Sequence, residues 1–287
     1  MTIGFIGQGF IGKNYADDFE RRGFSVTRYS LEEPYRGNKE KIKECDIVFI
    51  AVPTPTTPEG FDDSILRGVL PLVKEGKTAV IKSTTVPGTV KRLQKDFPDI
   101  FVLHSPEFLS EKTAARDAAE PNRNIIGVPT MTEEYKEKAR SVLAVLPKAP
   151  YELVADSDET ELIKYAGNVF LYCKLLYANL FFDLAHSLGA DFEVVRAAVG
   201  ADPRIGSSHL SAVDRSGHDG ALAGRGAGGH CLIKDFAALR ILYETLLPKD
   251  AEGVLMLRAL EAKNSGLLRA SGKDLDLLEA VYGKIKV

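Results

Sequence analysis

The chain has 287 residues, of which 45% are hydrophobic and 27% are charged, a balance typical of a protein that folds around its own core. Its net charge of −3 gives no general attraction for nucleic acid or an anionic membrane, so we expect neither as a partner. The most apolar stretch, residues 169–188, contains Lys174 and Asp183 and therefore predicts a buried helix instead of a membrane span.

The cysteine pattern indicates a reducing environment. Cys45, Cys173 and Cys231 are scattered and match neither a disulfide framework nor a zinc site, so we expect no metal. A strand pattern begins at Thr2, which leaves no room for a targeting peptide. Together these features predict a cytoplasmic protein.

The first half of the chain alternates short apolar runs with amphipathic helical patterns, and this alternation predicts a doubly wound parallel sheet with helices on its faces. The predicted strands are Ile3–Ile6, Ser25–Tyr29, Asp46–Val52, Thr78–Ile81, Ile100–Leu103 and Asn124–Val128.

The pattern becomes helical near Ala155. We therefore predict an α/β domain over residues 1–154 and a small all-helical domain over 155–270, with 271–287 as a tail of unassigned conformation. The predicted helices are about Glu159–Leu188, Phe192–Val199, Asp235–Leu246 and Ala251–Leu268, with a glycine-rich loop over 206–229.

The first strand leads into a G-x-G-x-x-G motif at residues 7–12. Gly7, Gly9 and Gly12 allow a tight turn and the close approach of a pyrophosphate to the start of a helix, where free N–H groups and the helix dipole favour an anion. In this strand–turn–helix context the motif predicts a Rossmann-like dinucleotide site that also includes Phe10 and Ile11.

The ribose position departs from the usual pattern. NAD-binding versions carry Asp or Glu about 20 residues after the glycines, at the end of the second strand. Ser30 occupies that place here, after Arg28. Without a carboxylate to repel a 2′-phosphate, NADP stays an alternative, and NAD is the leading prediction.

Two further segments carry reactive side chains. Lys164 and Asn168 are spaced i, i+4 on one helix face, which fits a solvated face and an oxyanion-stabilising pair equally well. Cys231 follows four glycines, which give a backbone that can approach a ligand closely, and is flanked by His230 and Lys234. Positive charge near a thiol enriches the reactive thiolate, so we nominate Cys231 as the nucleophile, whereas Cys45 and Cys173 fit core positions.

Eight segments in a fixed order resemble the UDP-glucose/GDP-mannose dehydrogenase family, and the likeness extends from Met1 to about Ala270. They are residues 7–12, 49–56, 83–88, 105–111, 121–123, 161–168, 202–206 and 228–235.

The resemblance implies a four-electron oxidation with two NAD molecules in turn, which converts the C6 alcohol of a UDP-sugar to a uronate for polysaccharide synthesis. Cys231 would capture the intermediate aldehyde as a thiohemiacetal, which is then oxidised to a thioester and hydrolysed. A covalent nucleophile of this kind divides one difficult step into easier ones.

The resemblance also implies residue roles. Lys164 and Asn168 would stabilise an alkoxide, and Asp235 and Glu107 would move protons, with a water held by Thr84. Lys234 would contact substrate or cofactor. The cofactor group further includes Ser30, Val52, Pro53, Thr54, Ser83, Thr84, Glu111 and Lys234, and the substrate group includes Glu107, Phe108, Leu109, Lys164, Asn168, Arg204 and Gly228.

Arg204 matches an arginine that reaches the substrate of a neighbouring subunit, which implies a homodimer. The sequence Gly228–Cys231 resembles the N-acetylhexosamine branch of the family. Lys234-Asp235 and the 161–168 helix resemble the UDP-glucose branch, which we favour because they supply more candidate active-site groups. Family members usually continue into a nucleotide-gripping third domain, and this chain ends where that domain would begin, so we expect weakened nucleotide binding.

Two other functions stay open. A catalytically impaired nucleotide-sugar-binding subunit would fit the missing third domain, although it gives no reason to keep Cys231 and Asp235. A β-hydroxyacid dehydrogenase would use Lys164 but needs no cysteine, which leaves the glycine-rich segment before Cys231 unexplained.

Overall fold

The computed structural model describes residues 1–110 and 112–284. The chain divides into two compact units, Met1–Thr54 with Asp62–Lys164, and Pro55–Phe61 with Tyr165–Val287. Sequence patterns placed the change at residues 154/155, which is ten residues earlier. None of the helices in the described ranges is long and apolar enough to cross a membrane.

The regular elements follow in chain order. The strands are β1 (Ile3–Ile6), β2 (Val26–Tyr29), β3 (Ile47–Ile50), β4 (Thr56–Thr57), β5 (Gly60–Phe61), β6 (Thr78–Ile81), β7 (Phe101–His104), β8 (Arg123–Val128), β9 (Tyr151–Asp156), β10 (Val213–Arg215) and β11 (Ala223–Arg225). The α-helices are α1 (Phe10–Arg21), α2 (Ser64–Val69), α3 (Thr89–Asp96), α4 (Ala114–Ala119), α5 (Glu133–Val145), α6 (Ser157–Leu188), α7 (Phe192–Gly200), α8 (Gly229–Leu246), α9 (Ala251–Ser271) and α10 (Leu275–Tyr282).

The first unit is built on a seven-stranded sheet with the order β2-β1-β3-β6-β7-β8-β9. Neighbouring strands are parallel except for β7 and β8, which pair antiparallel. The doubly wound α/β prediction is confirmed, with this one reversal added. Strand β1 lies between β2 and β3, so the chain changes winding direction there, and open α/β sheets bind ligands at the carboxyl ends of strands at such a point.

Alternation of side chains explains why the central strands are apolar throughout. Ile47 and Phe49 face one buried cluster, whereas Val48 and Ile50 face another on the opposite side of the sheet. A parallel sheet covered on both faces has no solvent-facing side for polar residues. Polar side chains are therefore displaced to the strand ends, and the site residues of this unit lie there.

The second unit is mainly helical, as predicted, and contains two short hairpins that the sequence patterns did not indicate, β4–β5 and β10–β11. The β10–β11 hairpin lies within the glycine-rich loop that was predicted over 206–229. Helix α8 begins at Gly229, six residues before the predicted start. The glycines lower helix propensity and so suggested a later start, but they do not prevent a helix from beginning there. Residues 275–282 of the unassigned tail form α10, whose Leu278 and Val281 pack with Ile233 of α8.

Candidate active site

The glycine-rich turn after β1 has two kinds of glycine. A Cβ on Gly7 would lie 2.2 Å from the backbone oxygen of Ala51, and one on Gly12 would lie 1.9 Å from the oxygen of Gly7, so packing requires both. A Cβ on Gly9 would meet nothing within 4 Å. The open side of Gly9 faces away from the rest of the protein at the start of α1, where Phe10 begins the helix without a side-chain cap. This geometry fits a dinucleotide pyrophosphate.

The predicted ribose position is a local turn. Ser30 Oγ donates to the backbone oxygen of Glu32 at 3.0 Å. The neighbouring Arg28 is buried and pairs with Asp17 and Glu20, each at 2.7 Å. These two carboxylates therefore compensate the positive charge of the Arg28 guanidinium.

Loops at the carboxyl ends of β3 and β6 are joined by side-chain hydrogen bonds. Thr54 Oγ1 donates to the backbone oxygen of Thr84 at 2.7 Å, and Ser83 Oγ donates to the backbone oxygen of Val52 at 2.6 Å. These loops therefore follow parallel strands at the same edge of the sheet as the glycine turn. The structure brings Val52, Pro53, Thr54, Ser83 and Thr84 to the edge where a dinucleotide is expected.

Glu107 and Lys164 form a buried ion pair within the first unit. Lys164 Nζ donates to Glu107 Oε1 at 2.8 Å and to the Glu107 backbone oxygen at 2.7 Å. Glu107 Oε2 accepts from the backbone N–H of Leu109 at 2.8 Å, so both carboxylate oxygens are satisfied. Lys164 Nζ also lies 5.6 Å from the ring centre of Phe108. The predicted proton-handling and alkoxide-binding groups are thus held in place by bonds to each other and to the backbone.

Lys82 was missed by the sequence analysis. It follows β6 directly and is buried, with Nζ 3.1 Å from Ser105 Oγ and 4.1 Å from the ring centre of Tyr15. Burial lowers the pKa of Lys82 to about 7, although the Glu107 carboxylate opposes this change. A charged residue at the carboxyl end of an apolar strand was the available signal.

Glu161 links two of the segments quoted above, residues 83–88 and 161–168. Its side chain accepts hydrogen bonds from the backbone N–H groups of Gly88 at 2.9 Å and Val90 at 3.1 Å. The carboxyl group of α6 thereby caps the start of α3. Burial raises the pKa of Glu161 to about 8, and the two N–H donors offset part of that effect. This residue was not singled out in the sequence analysis, and its role here is structural.

The three cysteines have different surroundings. Cys231 lies in the first turn of α8 and is exposed, which corrects the expectation that it precedes the helix. Burial raises the pKa of the thiols of Cys45 and Cys173 above their usual range. The start of a helix favours a thiolate, and exposure allows a substrate to reach it. Environment therefore distinguishes Cys231 as the candidate nucleophile.

A polar chain lies near Cys231 in the second unit. Asn168 Nδ2 donates to Asp235 Oδ2 at 2.5 Å, and Lys234 Nζ lies 2.5 Å from Asp235 Oδ1. Asp235 is 1% exposed, so its carboxylate is held on both oxygens in a dry environment. Asn168 and Lys164 lie one turn apart on α6 but have different partners. Asn168 binds Asp235, whereas Lys164 binds Glu107.

Three other predicted residues are less informative. Arg204 follows α7 and is 87% exposed, paired with Asp202 at 2.6 Å. Gly228 is the residue that precedes α8. Glu111 lies outside the described residues. Within the described ranges, no group of three His, Cys, Asp or Glu side chains could hold a metal ion.

Comparison with known protein families gives matches over most of the chain. Residues 35–146 match the UDP-glucose/GDP-mannose dehydrogenase family, NAD binding domain, and residues 158–264 match the central domain of the same family. The UDP-glucose 6-dehydrogenase of Rhizobium meliloti is 34% identical over 262 residues, which cover 86% of this chain. The chain spans 56% of the length of that relative.

Two solved structures share the fold. A UDP-glucose dehydrogenase from Pyrobaculum islandicum superposes with a TM-score of 0.77 at 27% identity, over 99% of this chain and 72% of that one. A 3-hydroxyisobutyrate dehydrogenase from Mycobacterium tuberculosis gives a TM-score of 0.69 at 15% identity, over 98% of both chains, a likeness of fold alone. Because the two matched domains together cover more than half of the sequence, the chain belongs to the UDP-glucose/GDP-mannose dehydrogenase family.

Proposed function

We propose that this chain uses NAD to oxidise the C6 alcohol of a UDP-sugar, with UDP-glucose as the favoured substrate, to the carboxylate in two successive steps. The observation that carries the proposal is the exposed thiol of Cys231 in the first turn of α8, four residues before the buried Asp235 carboxylate. A plain alcohol dehydrogenase has no need for a nucleophile at this position.

NAD, when bound, accepts one hydride in each of the two oxidations. Gly9 leaves room for its pyrophosphate, and the loops containing Thr54 and Ser83 border the same edge of the sheet. Arg28 is already paired with two carboxylates, so a 2′-phosphate would have to compete with them for its charge. This pairing favours NAD over NADP, even though Ser30 stands in the usual acidic position.

In the first oxidation the sugar alcohol loses a hydride and a proton to become an aldehyde. The Lys164 ammonium group and the Asn168 amide are the proposed donors to the developing alkoxide. The proton passes to Glu107 or Asp235, the latter held on both oxygens by Asn168 and Lys234.

In the second oxidation the sulfur of Cys231 adds to the aldehyde carbon and the aldehyde oxygen takes up a proton, which gives a thiohemiacetal. Loss of a hydride from its carbon and of the proton from its hydroxyl group then gives a thioester. Water then attacks the thioester carbon, which releases the carboxylic acid and returns the thiol. The thiolate is a better leaving group than an alkoxide, so this last step is easy for sulfur and difficult for oxygen.

A second copy of this chain is the proposed partner. Five large apolar side chains are exposed at helical spacing along α6, and such a stripe indicates a protein interface. They are Phe170, Tyr177, Phe181, Leu184 and Leu188. We expect Leu184→Lys to convert a dimer to a monomer in analytical ultracentrifugation, and Leu31→Lys, at an exposed leucine outside α6, to leave the dimer intact. A wild-type protein that sediments as a monomer would disprove this partner.

The decisive experiment incubates the protein with limiting UDP-glucose, UDP-N-acetylhexosamines or GDP-mannose, together with NAD or NADP, and follows reduced cofactor by its near-ultraviolet absorbance. We expect two equivalents of NADH per UDP-glucose. One equivalent from a 3-hydroxyacid, or no turnover despite measurable NAD binding, would instead support the hydroxyacid dehydrogenase or the impaired subunit.

A further inference from the structure

The glycines before Cys231 fit against another part of the same unit. A Cβ on Gly228 would lie 2.1 Å from Asp274 Oδ2, and one on Gly224 would lie 2.7 Å from the Cβ of Lys273. A Cβ on Gly226 would lie 2.9 Å from Asn264 Oδ1. Sequence reasoning explained these glycines by the close approach of a ligand. The structure gives them a second reason, since larger residues would collide with the end of α9 and with the residues that follow it.

Those following residues, 272–284, bind the glycine loop directly. Asp274 Oδ2 accepts the backbone N–H of Gly229 at 2.7 Å and the hydroxyl of Ser216 at 2.6 Å. Lys273 Nζ donates to the backbone oxygen of Gly226 at 3.1 Å and pairs with Asp214. Lys273 and Asp274 are buried, so these charge-assisted hydrogen bonds lie largely out of water.

The bond to Gly229 is important for the helix start. Gly229 is the first residue of α8, and Gly228 before it has no side chain with which to cap the helix. The first N–H groups of a helix need acceptors from elsewhere, and a carboxylate is favoured there by the dipole. Asp274 supplies that acceptor from 45 residues away in sequence.

A further contact reaches the residue beside the thiol. Asp274 Oδ1 lies 3.2 Å from His218 Nε2, and the ring of His218 meets the ring of His230 edge-on at 5.0 Å. His230 directly precedes Cys231. Ile233, two residues after the thiol, packs against Leu278 of α10. The 272–284 segment thus contacts the first turn of α8 at the N–H of Gly229 and on its apolar side.

We propose that Asp274 is a positioning residue that fixes the first turn of α8, and through it the direction of the Cys231 thiol, for the second oxidation. This role rests on the proposed function of Cys231 as nucleophile. Asp274 itself is not expected to touch substrate or cofactor.

The test compares Asp274→Ala, Asp274→Asn and the control Asp276→Ala, which changes an exposed aspartate on α10. Amide hydrogen exchange at Gly229 and the rate of Cys231 carbamidomethylation by iodoacetamide are measured on folded protein. We expect Gly229 exchange to be at least about tenfold faster in Asp274→Ala, the effect of losing a hydrogen bond to a charged acceptor, and intermediate in Asp274→Asn. The carbamidomethylation rate should change in the same order, and Asp276→Ala should match the wild type.

A purely structural role predicts a different result, in which amides throughout α9 and α8 lose protection together, and that result would overturn the inference. Unchanged Gly229 exchange in Asp274→Asn would overturn it as well, and this comparison stands even if Asp274→Ala fails to fold. In the turnover assay, kcat should fall with the KM for NAD unchanged. Exchange and alkylation need no substrate, so an inactive wild-type protein would refute the proposed function and leave this test intact.

Discussion

The candidate charge-stabilising groups of the first unit and the candidate nucleophile of the second are held in opposite ways. In the first, the charges of Lys82, Glu107 and Lys164 are buried, and Glu107 is satisfied on both oxygens. In the second, the thiol of Cys231 is exposed at a helix start that depends on a distant carboxylate, that of Asp274. Groups that stabilise charge gain strength where water is excluded, whereas a nucleophile must be reached. The difference teaches that charge-stabilising candidates can be held by buried pairing, whereas a candidate nucleophile has to combine exposure with a bonded helix start.

We expect the largest effect from the removal of Cys231. If Cys231 is dispensable, the contrast between the two units fails. Cys231→Ala should reduce overall turnover by at least about a thousandfold, the scale of loss when a covalent nucleophile is removed. Limiting UDP-glucose should then yield at most one NADH, because the aldehyde can form without sulfur but cannot proceed to a thioester.

Cys231→Ser gives a sharper version of the same test. An ester on the introduced serine should hydrolyse slowly, so mass spectrometry should detect the sugar on the protein. Cys173→Ala, at a half-buried cysteine of α6, is the matched control. Two equivalents of NADH from the alanine variant at near wild-type rate would falsify the covalent mechanism.

The buried charges of the first unit should matter for stability as well as for chemistry. Lys164→Met leaves the Glu107 carboxylate buried without its cation, and we expect the free energy of unfolding to fall by about 3–5 kcal/mol. Chemical denaturation measures this change, with Lys95→Met, at an exposed lysine, as control. Adding Glu107→Gln should recover part of the loss, since the uncompensated charge is then gone. Equal stability of Lys164→Met and wild type would show that the pair is not buried in solution.

Much of the first unit could be predicted from sequence because its signals are local. Apolar strands, the glycine turn and the alternation of strands and helices each follow from residues close together in the chain. The antiparallel pairing of β7 with β8 could not be predicted, since a strand carries no mark of its direction. Strand β9 was missed because it starts with the exposed residues Tyr151 and Glu152, which hide its apolar pattern.

The second unit was harder to predict because its decisive contacts are distant in sequence. Local composition suggested that this helix starts at about Asp235, whereas α8 begins at Gly229, whose N–H binds the distant Asp274 carboxylate. Lys82 was missed for a related reason, since its lowered pKa comes from burial that only the folded chain creates. Glu161 likewise acts on Gly88, 73 residues away. Residue types predicted the candidate chemistry, but not the partners that orient it.

The next effect is a dependence of stability on pH that comes from the structural carboxyl group of Glu161. Burial raises the pKa of Glu161 to about 8 in the folded protein, above its usual value of 4.5. The unfolded chain therefore loses this proton at lower pH than the folded one, and stability present below about pH 4.5 is lost as pH rises toward 8. At about 1.4 kcal/mol per pKa unit the full shift corresponds to about 5 kcal/mol, and we expect structural relaxation around the ionised carboxylate to reduce the measured loss to about 2 kcal/mol. Denaturation of Glu161→Gln across this range should show no such decline in stability, whereas the control Glu137→Gln should decline as the wild type does. Parallel stability curves for wild type and both variants would contradict the assignment.

The smallest expected effect is on cofactor choice at the predicted ribose position, and it should leave the chemical steps unchanged. Ser30→Asp places a carboxylate where the 2′-phosphate of NADP would lie, and a carboxylate there also accepts the ribose hydroxyls of NAD. We expect the ratio of kcat/KM for NAD over NADP to rise by about tenfold, which corresponds to 1.4 kcal/mol. Ser30→Asn has nearly the same shape without the charge and should leave the ratio within about threefold of wild type, by the same scale. The NADH yield per sugar should stay at two in both variants, because Ser30 directly follows β2 and its side chain hydrogen-bonds to the backbone of Glu32 and not to a candidate catalytic group. If wild-type discrimination already equals that of Ser30→Asp, the pairing of Arg28 with Asp17 and Glu20 is by itself sufficient to exclude NADP.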